Sequence, residues 1–217
     1  MQTTNQPGRA QLEYALKDAR RVWGKKHRNT IVAMNELAIS LNGEDEAPRA
    51  LELLTTVVNW CCSNLGEDDF ETVTAKANLA MRLFELGSYD AACELEWAVL
   101  DTRQRRLGET HPDTLEAMGS LGATLNNMAV ALRNDGNLTQ AAPLQFQALA
   151  MVTRAFGPDH LRCAYMYSAT GALLKLQGDA EQAKNYFEKA LAIRQRELGP
   201  DAKLTQLVAT RLREMLH

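Results

Sequence analysis

Three of the four histidines in this 217-residue chain sit at matched positions. His27, His111 and His160 each follow a glycine by three residues, namely Gly24, Gly108 and Gly157. Imidazole is a common metal ligand and a proton carrier near neutral pH. Equivalent places in successive repeats would set these rings about one repeat apart along one edge, too far for one metal ion. The fourth, His217, is the terminal residue. Four cysteines, Cys61, Cys62, Cys93 and Cys163, form no C-x-x-C pair. Cys93 and Cys163 fall where a helix wants a small apolar residue, which predicts buried, inert thiols. No Ser-His-Asp order, H-E-x-x-H, phosphate loop or dinucleotide fingerprint occurs. Gly-Ser-Leu-Gly at 119–122 lies within a helical pattern and lacks a following Lys-Ser or Lys-Thr. The expectation is a chain with no catalytic residue, no metal and no cofactor.

Composition narrows the classes further. A hydrophobic share of 46% with 24% charged residues suits a water-exposed folded chain. The net charge of −3 gives no general attraction for nucleic acid or an anionic membrane. No apolar run approaches the roughly 18 residues of a membrane span, and the N-terminus has no hydrophobic signal segment. Cysteine usage and this N-terminus predict a reduced, cytoplasmic protein. Basic residues at Arg20, Arg21, Lys25, Lys26 and Arg28, and at Arg103, Arg105 and Arg106, read as solvated helix ends.

The elements that carry these residues are set by a period. Glycines Gly24, Gly66, Gly108, Gly157 and Gly199 follow one another at intervals of 42, 42, 49 and 42. A fixed period of this size marks a repeat array. Within each interval, apolar spacing predicts two antiparallel helices, A and B. The helices are expected at 10–23, 29–42, 47–64, 71–86, 89–106, 113–134, 138–155, 160–177, 180–197 and 201–216. Gly87, Gly136 and Gly178 fit the left-handed residue that commonly follows a helix end. Asp113 and Asp159 are placed to cap the helices that follow them. The boundaries are a flexible tail at 1–9, then a single domain at 10–217. Its full units span about 24–65, 66–107, 108–156 and 157–198, flanked by the half-units 10–23 and 201–216. The long interval adds seven residues within 115–125, nearly two helical turns, so helix A can grow by about 10 Å with its face in register.

Small residues Ala50, Ala92, Ala141 and Ala183 share one offset in helix B, and Ala38, Ala80, Ala129 and Gly171 share one in helix A. Leu41, Leu83, Leu132 and Leu174 fill between them. With the stretches at 124–150 and 184–201, this pattern resembles the tetratricopeptide repeat of the kinesin-light-chain type, lengthened from about 34 residues to 42. The resemblance implies an all-α, right-handed superhelical solenoid of helix pairs, with A helices lining a concave groove. It also implies a non-catalytic scaffold or adaptor that binds a peptide segment or partner protein there.

On that reading Asn35, Asn78, Asn126 and Asn127 grip peptide backbone, since a side-chain amide both donates and accepts. The alternative role for these amides is to tie neighbouring helices together. Met81, Phe84 and Tyr165 supply apolar contacts, and Arg133 and Lys175 lie on the same stripe. The stripe carries little charge, which favours a peptide with hydrophobic anchors. The Lys and Arg positions of a chaperone-carboxylate clamp are filled here by residues such as Asn35, Ala123 and Ala169, which argues against that ligand. A second expectation is a homo-oligomer joined through the terminal half-repeats, with Trp23, Trp60 and Leu212 at the contacts. A third is an enzyme or small-molecule sensor within the groove, for which no motif speaks.

Overall fold

In the computed structural model, residues 8–41 and 43–215 are described. Every regular element among them is helical. The helices are α1 Arg9–Trp23, α2 Arg28–Ser40, α3 Ala47–Asn64, α4 Phe70–Glu85, α5 Tyr89–Leu107, α6 Pro112–Asn134, α7 Leu138–Phe156, α8 Leu161–Leu176, α9 Ala180–Leu198 and α10 Lys203–Arg213. A single 3-10 turn, Glu44–Glu46, leads into α3. Two ends differ from expectation. Helix α2 stops at Ser40, where the Leu41 N–H turns back to the Ala38 carbonyl. Helix α10 begins at Lys203 behind Ala202, whose side chain offers no capping acceptor. Most of the expected tail and His217 lie outside the described residues.

Two chemically different glycine junctions break the helices. After the A helices α4, α6 and α8, the chain closes in a pair of reversed hydrogen bonds. Gly87 N–H donates to the Phe84 carbonyl at 3.0 Å and Ser88 N–H to the Leu83 carbonyl at 2.9 Å. Gly136 with Asn137, and Gly178 with Asp179, repeat the arrangement. These are Schellman ends, which call for the positive φ that glycine adopts at little cost. After the B helices, Gly24, Gly157 and Gly199 take φ of 82, 83 and 85° with ψ of 172, 156 and 163°. That combination is open essentially to glycine alone, which explains the glycines that mark the period.

Three residues after four of the five marker glycines, Gly199 excepted, a side chain caps the next helix. His27, His111 and His160 accept the N–H of Asn29, Asp113 and Arg162 on Nδ1 at 3.2, 3.1 and 3.1 Å. Asp69 does the same for Glu71 at 2.8 Å. The expectation that Asp113 and Asp159 would cap is therefore corrected. Proline at 112 starts α6 immediately after His111, so Asp113 already lies in the first turn. His160 takes the cap position of α8 in place of Asp159.

The chain packs as two units, dividing between Thr102 and Arg103. In the first, α1 packs on α2, α2 on α3, and α3 on α4. Leu12, Leu16, Leu37, Leu41, Leu54 and Val57 form its core. In the second, α6, α7, α8, α9 and α10 pack each against the next. The offset of small residues works as expected: Ala50, Ala92, Ala141 and Ala183 are all fully buried. A Cβ on Gly171 would lie 3.1 Å from the Ala183 carbonyl oxygen and from the Phe187 ring, so α8 and α9 meet there. Helix α6 has 23 residues against 16 in α4 and α8. Its added length is packed: Leu121 and Gly122 are buried, and a Cβ on Gly122 would come within 2.7 Å of Val152 Cγ2 on α7.

Candidate peptide-binding faces

In the first unit, α2 and α4 share a face. Asn78 Nδ2 donates to Asn35 Oδ1 at 3.2 Å, joining the two helices. Both amides are half-buried, and each keeps further hydrogen-bonding capacity. Around them stand Val32, Ile39 and Met81, which are 46, 42 and 46% exposed. A helix whose apolar side chains stay in water beside a polar strip has surface for a partner. Phe84 is half-buried, and its ring lies 5.6 Å from that of Tyr89 across the α4–α5 turn, so part of its surface serves the fold.

In the second unit the corresponding face belongs to α6 and α8. Gln145, 2% exposed on α7, donates to Asn126 Oδ1 at 3.2 Å, and Asn126 Nδ2 donates to Asn127 Oδ1 at 3.3 Å. The Asn126 amide thus ties an A helix to its own B helix. Tyr165 is 42% exposed on α8 and lies against the Arg194 guanidinium, 5.0 Å from ring centroid to carbon. Arg133 at the end of α6 is half-buried and donates to Asn134 Oδ1 at 3.2 Å. Burial holds its guanidinium below the ordinary value, and the charge of Arg211 adds to the effect. Lys175 is exposed and 4.0 Å from the Glu214 carboxylate.

Sequence reasoning passed over Gln145, Arg194 and Arg211. Gln145 shares its offset with Leu12, Leu54 and Phe187, and Arg194 shares its own with Ala19, Cys61 and Val152. Glu96 shares the offset of Gln145 and Arg103 that of Arg194, so the available signal was a polar side chain recurring where the other repeats are apolar. Arg211 falls at the offset of Asn78 and Asn127.

The remaining candidates serve the fold. Cys61 and Cys163 are buried, Cys62 and Cys93 half-buried, and burial is the main cause that pushes all four thiols up. Cys163 stands where α2 carries Thr30, and both side chains donate to a marker-glycine carbonyl, Gly157 and Gly24. Among the described residues no group of three or more His, Cys, Asp or Glu side chains could hold a metal ion. Among the same residues no helix is long and apolar enough to cross a membrane. Trp60 is half-buried and donates its indole N–H to the Lys26 carbonyl at 2.7 Å, while Trp23 stays 48% exposed.

Family profiles described as Tetratricopeptide repeat match residues 72–113 and 120–196, between them more than half of the chain. The chain belongs to the tetratricopeptide-repeat family. Its fold is that of a kinesin-light-chain-type protein of Podosopora anserina with nearly identical TPR-like repeats. The two superpose with a TM-score of 0.63 at 19% identity, covering 87% of this chain and 86% of that one. BtubC (BKLC) from P. vanneervenii superposes with a TM-score of 0.57 at 18% identity, over 99 and 92% of the two chains. In sequence, this tetratricopeptide-repeat chain is 24% identical over 215 residues to a "Clustered mitochondria protein homolog" of Neosartorya fischeri. It is 25% identical over 217 residues to a protein of the same name from Aspergillus fumigatus. Each alignment covers 99% of this chain and only 16% of the longer relative.

Proposed function

We propose that the chain is a non-catalytic, cytoplasmic interaction module whose A-helix faces hold a peptide segment or a partner protein, as a scaffold or adaptor does. One observation carries this reading. Val32, Ile39, Met81 and Tyr165 are large apolar side chains, all on A helices, and each is more than 40% exposed beside an amide or guanidinium group. Apolar anchors next to groups that can pair with a peptide backbone are the chemistry of peptide recognition. Asn35, Asn78, Asn126 and Asn127 serve twice on this view. They pair with neighbouring amides, and their remaining donors and acceptors face a ligand.

The test is co-purification from the native host, comparing the natural chain with a Val32→Asp/Met81→Asp variant. Both positions are exposed, so helicity should be unchanged while specific partners fall by about tenfold or more, as expected for loss of apolar anchors. Retention of every partner by the variant would refute the assignment. A second reading is a homo-oligomer, favoured by Tyr14, Val22 and Trp23 on α1, which are 70, 51 and 48% exposed. Light scattering that grows with concentration, and is abolished by Trp23→Asp, would establish it instead.

A further inference from the structure

We propose that Arg133, Arg194 and Arg211, gathered on the Tyr165–Ser168 face of α8, form a site for a carboxylate side chain of the partner peptide. The inference rests on the reading of the A-helix faces as peptide-binding surfaces and names one feature of the peptide. Arg194 reaches the face from α9 and is 3% exposed, with its guanidinium against the Tyr165 ring. It donates one hydrogen bond, from Nη1 to the Leu204 carbonyl at 2.9 Å, while its buried Nε has no partner. Arg211 reaches the same face from α10. Its Nη1 donates to Ser168 Oγ at 3.4 Å, and the group lies 6.0 Å from the Phe187 ring. Arg133 comes from the end of α6 and lies close enough to Arg211 for the two charges to oppose one another.

Among the described residues none of the three forms an ion pair. The Glu214 carboxylate lies 4.0 Å from Lys175. A guanidinium removed from water without a counter-charge, as that of Arg194 is, is costly, and the half-exposed Arg133 and Arg211 add like charge beside it. An anion that entered would be met by charge-assisted hydrogen bonds, with Ser168 and the Tyr165 ring as its walls. Carboxylate suits this place on a peptide surface because the planar guanidinium fork matches it in two parallel hydrogen bonds. The site is not the chaperone-carboxylate clamp, since two of its arginines come from helices outside the α6–α8 pair.

The probe is a random dodecapeptide library displayed on phage and selected against the intact chain. Selected peptides should carry Asp or Glu at one fixed position. Changing that acid to its amide should weaken binding about 10- to 100-fold, the range of a charged hydrogen-bond pair. Arg133→Gln and Arg211→Gln, at half-exposed positions, should lose the same factor on the acidic peptide and little on its amide form. Arg211→Lys should recover part of it. Peptides selected with no fixed acid would overturn the site and leave peptide binding standing. So would variants within twofold of the natural chain. Competition by inorganic phosphate at concentrations where acetate fails would assign the site to a phosphoryl group, and would equally overturn it. A library that yields no peptide refutes the peptide-binding reading itself, and this site with it.

Discussion

A histidine side chain is rarely read as a helix cap, yet three of them hold that role here. The imidazole Nδ1 of His27, His111 and His160 accepts the backbone N–H two residues on. That satisfies one of the donors a helix start leaves free. His111→Ala should lower stability by about 1 kcal/mol in urea unfolding, the usual worth of a cap, and His111→Asp should restore it. No loss in the alanine variant would show the cap to be incidental. The asparagines make a second residue-scale case. Asn35 and Asn78 are joined side chain to side chain. A double-mutant cycle with Asn35→Ala and Asn78→Ala should give a coupling of about 0.5–1.5 kcal/mol, and a value near zero would leave each amide free for ligand alone. Sequence spacing placed these residues on one stripe but left open what they bond. Which amide meets which depends on side-chain directions from two helices, and a repeat offset carries no such information.

At the scale of the element, the helices were legible to within a residue or two almost everywhere. Glycine spacing and apolar period are local signals, and the junctions they mark are local structures. The seven added residues of α6 were legible in number but not in consequence. They are packed against α7 through Gly122, whose added Cβ would meet both Val152 Cγ2 at 2.7 Å and the Ala148 carbonyl oxygen at 3.2 Å. Alanine normally gains about 0.5–1 kcal/mol over glycine inside a helix. Overpacking costs about 1–3 kcal/mol. Backbone cannot yield as a flexible side chain does, so overpacking should win, and Gly122→Ala should be net destabilising in thermal or urea unfolding. A more stable variant would mean that α6 and α7 can part without cost. The arginines from α9 and α10 were missed at this scale too. Sequence reading confined the site to A helices, while Arg194 enters from a B helix.

For the whole molecule, the four thiols give a common titration. Burial pushes Cys61, Cys62, Cys93 and Cys163 above the ordinary thiol value of 9.0. In the unfolded chain they ionise at that ordinary value, so above it the unfolded state holds fewer protons than the folded one. Stability from this source is complete below about pH 8 and falls as pH rises through about 9 and beyond. Urea midpoints measured across that range should drop, and the drop should be shallower in a Cys61→Ala/Cys163→Ala variant. An identical slope in both would remove the thiols from the account.

In both units, the packing is chiefly between helices that are neighbours in the chain, such as α1 with α2 and α6 with α7. Few residues must find partners far away along the sequence before a helix is secure. Loop-closure entropy is therefore low at each step, and arrangements of this type fold in microseconds to milliseconds. A growing chain on the ribosome could secure each hairpin as it emerges, without waiting for the C-terminus. The Schellman glycines that end α4, α6 and α8 let each such hairpin close through one local turn.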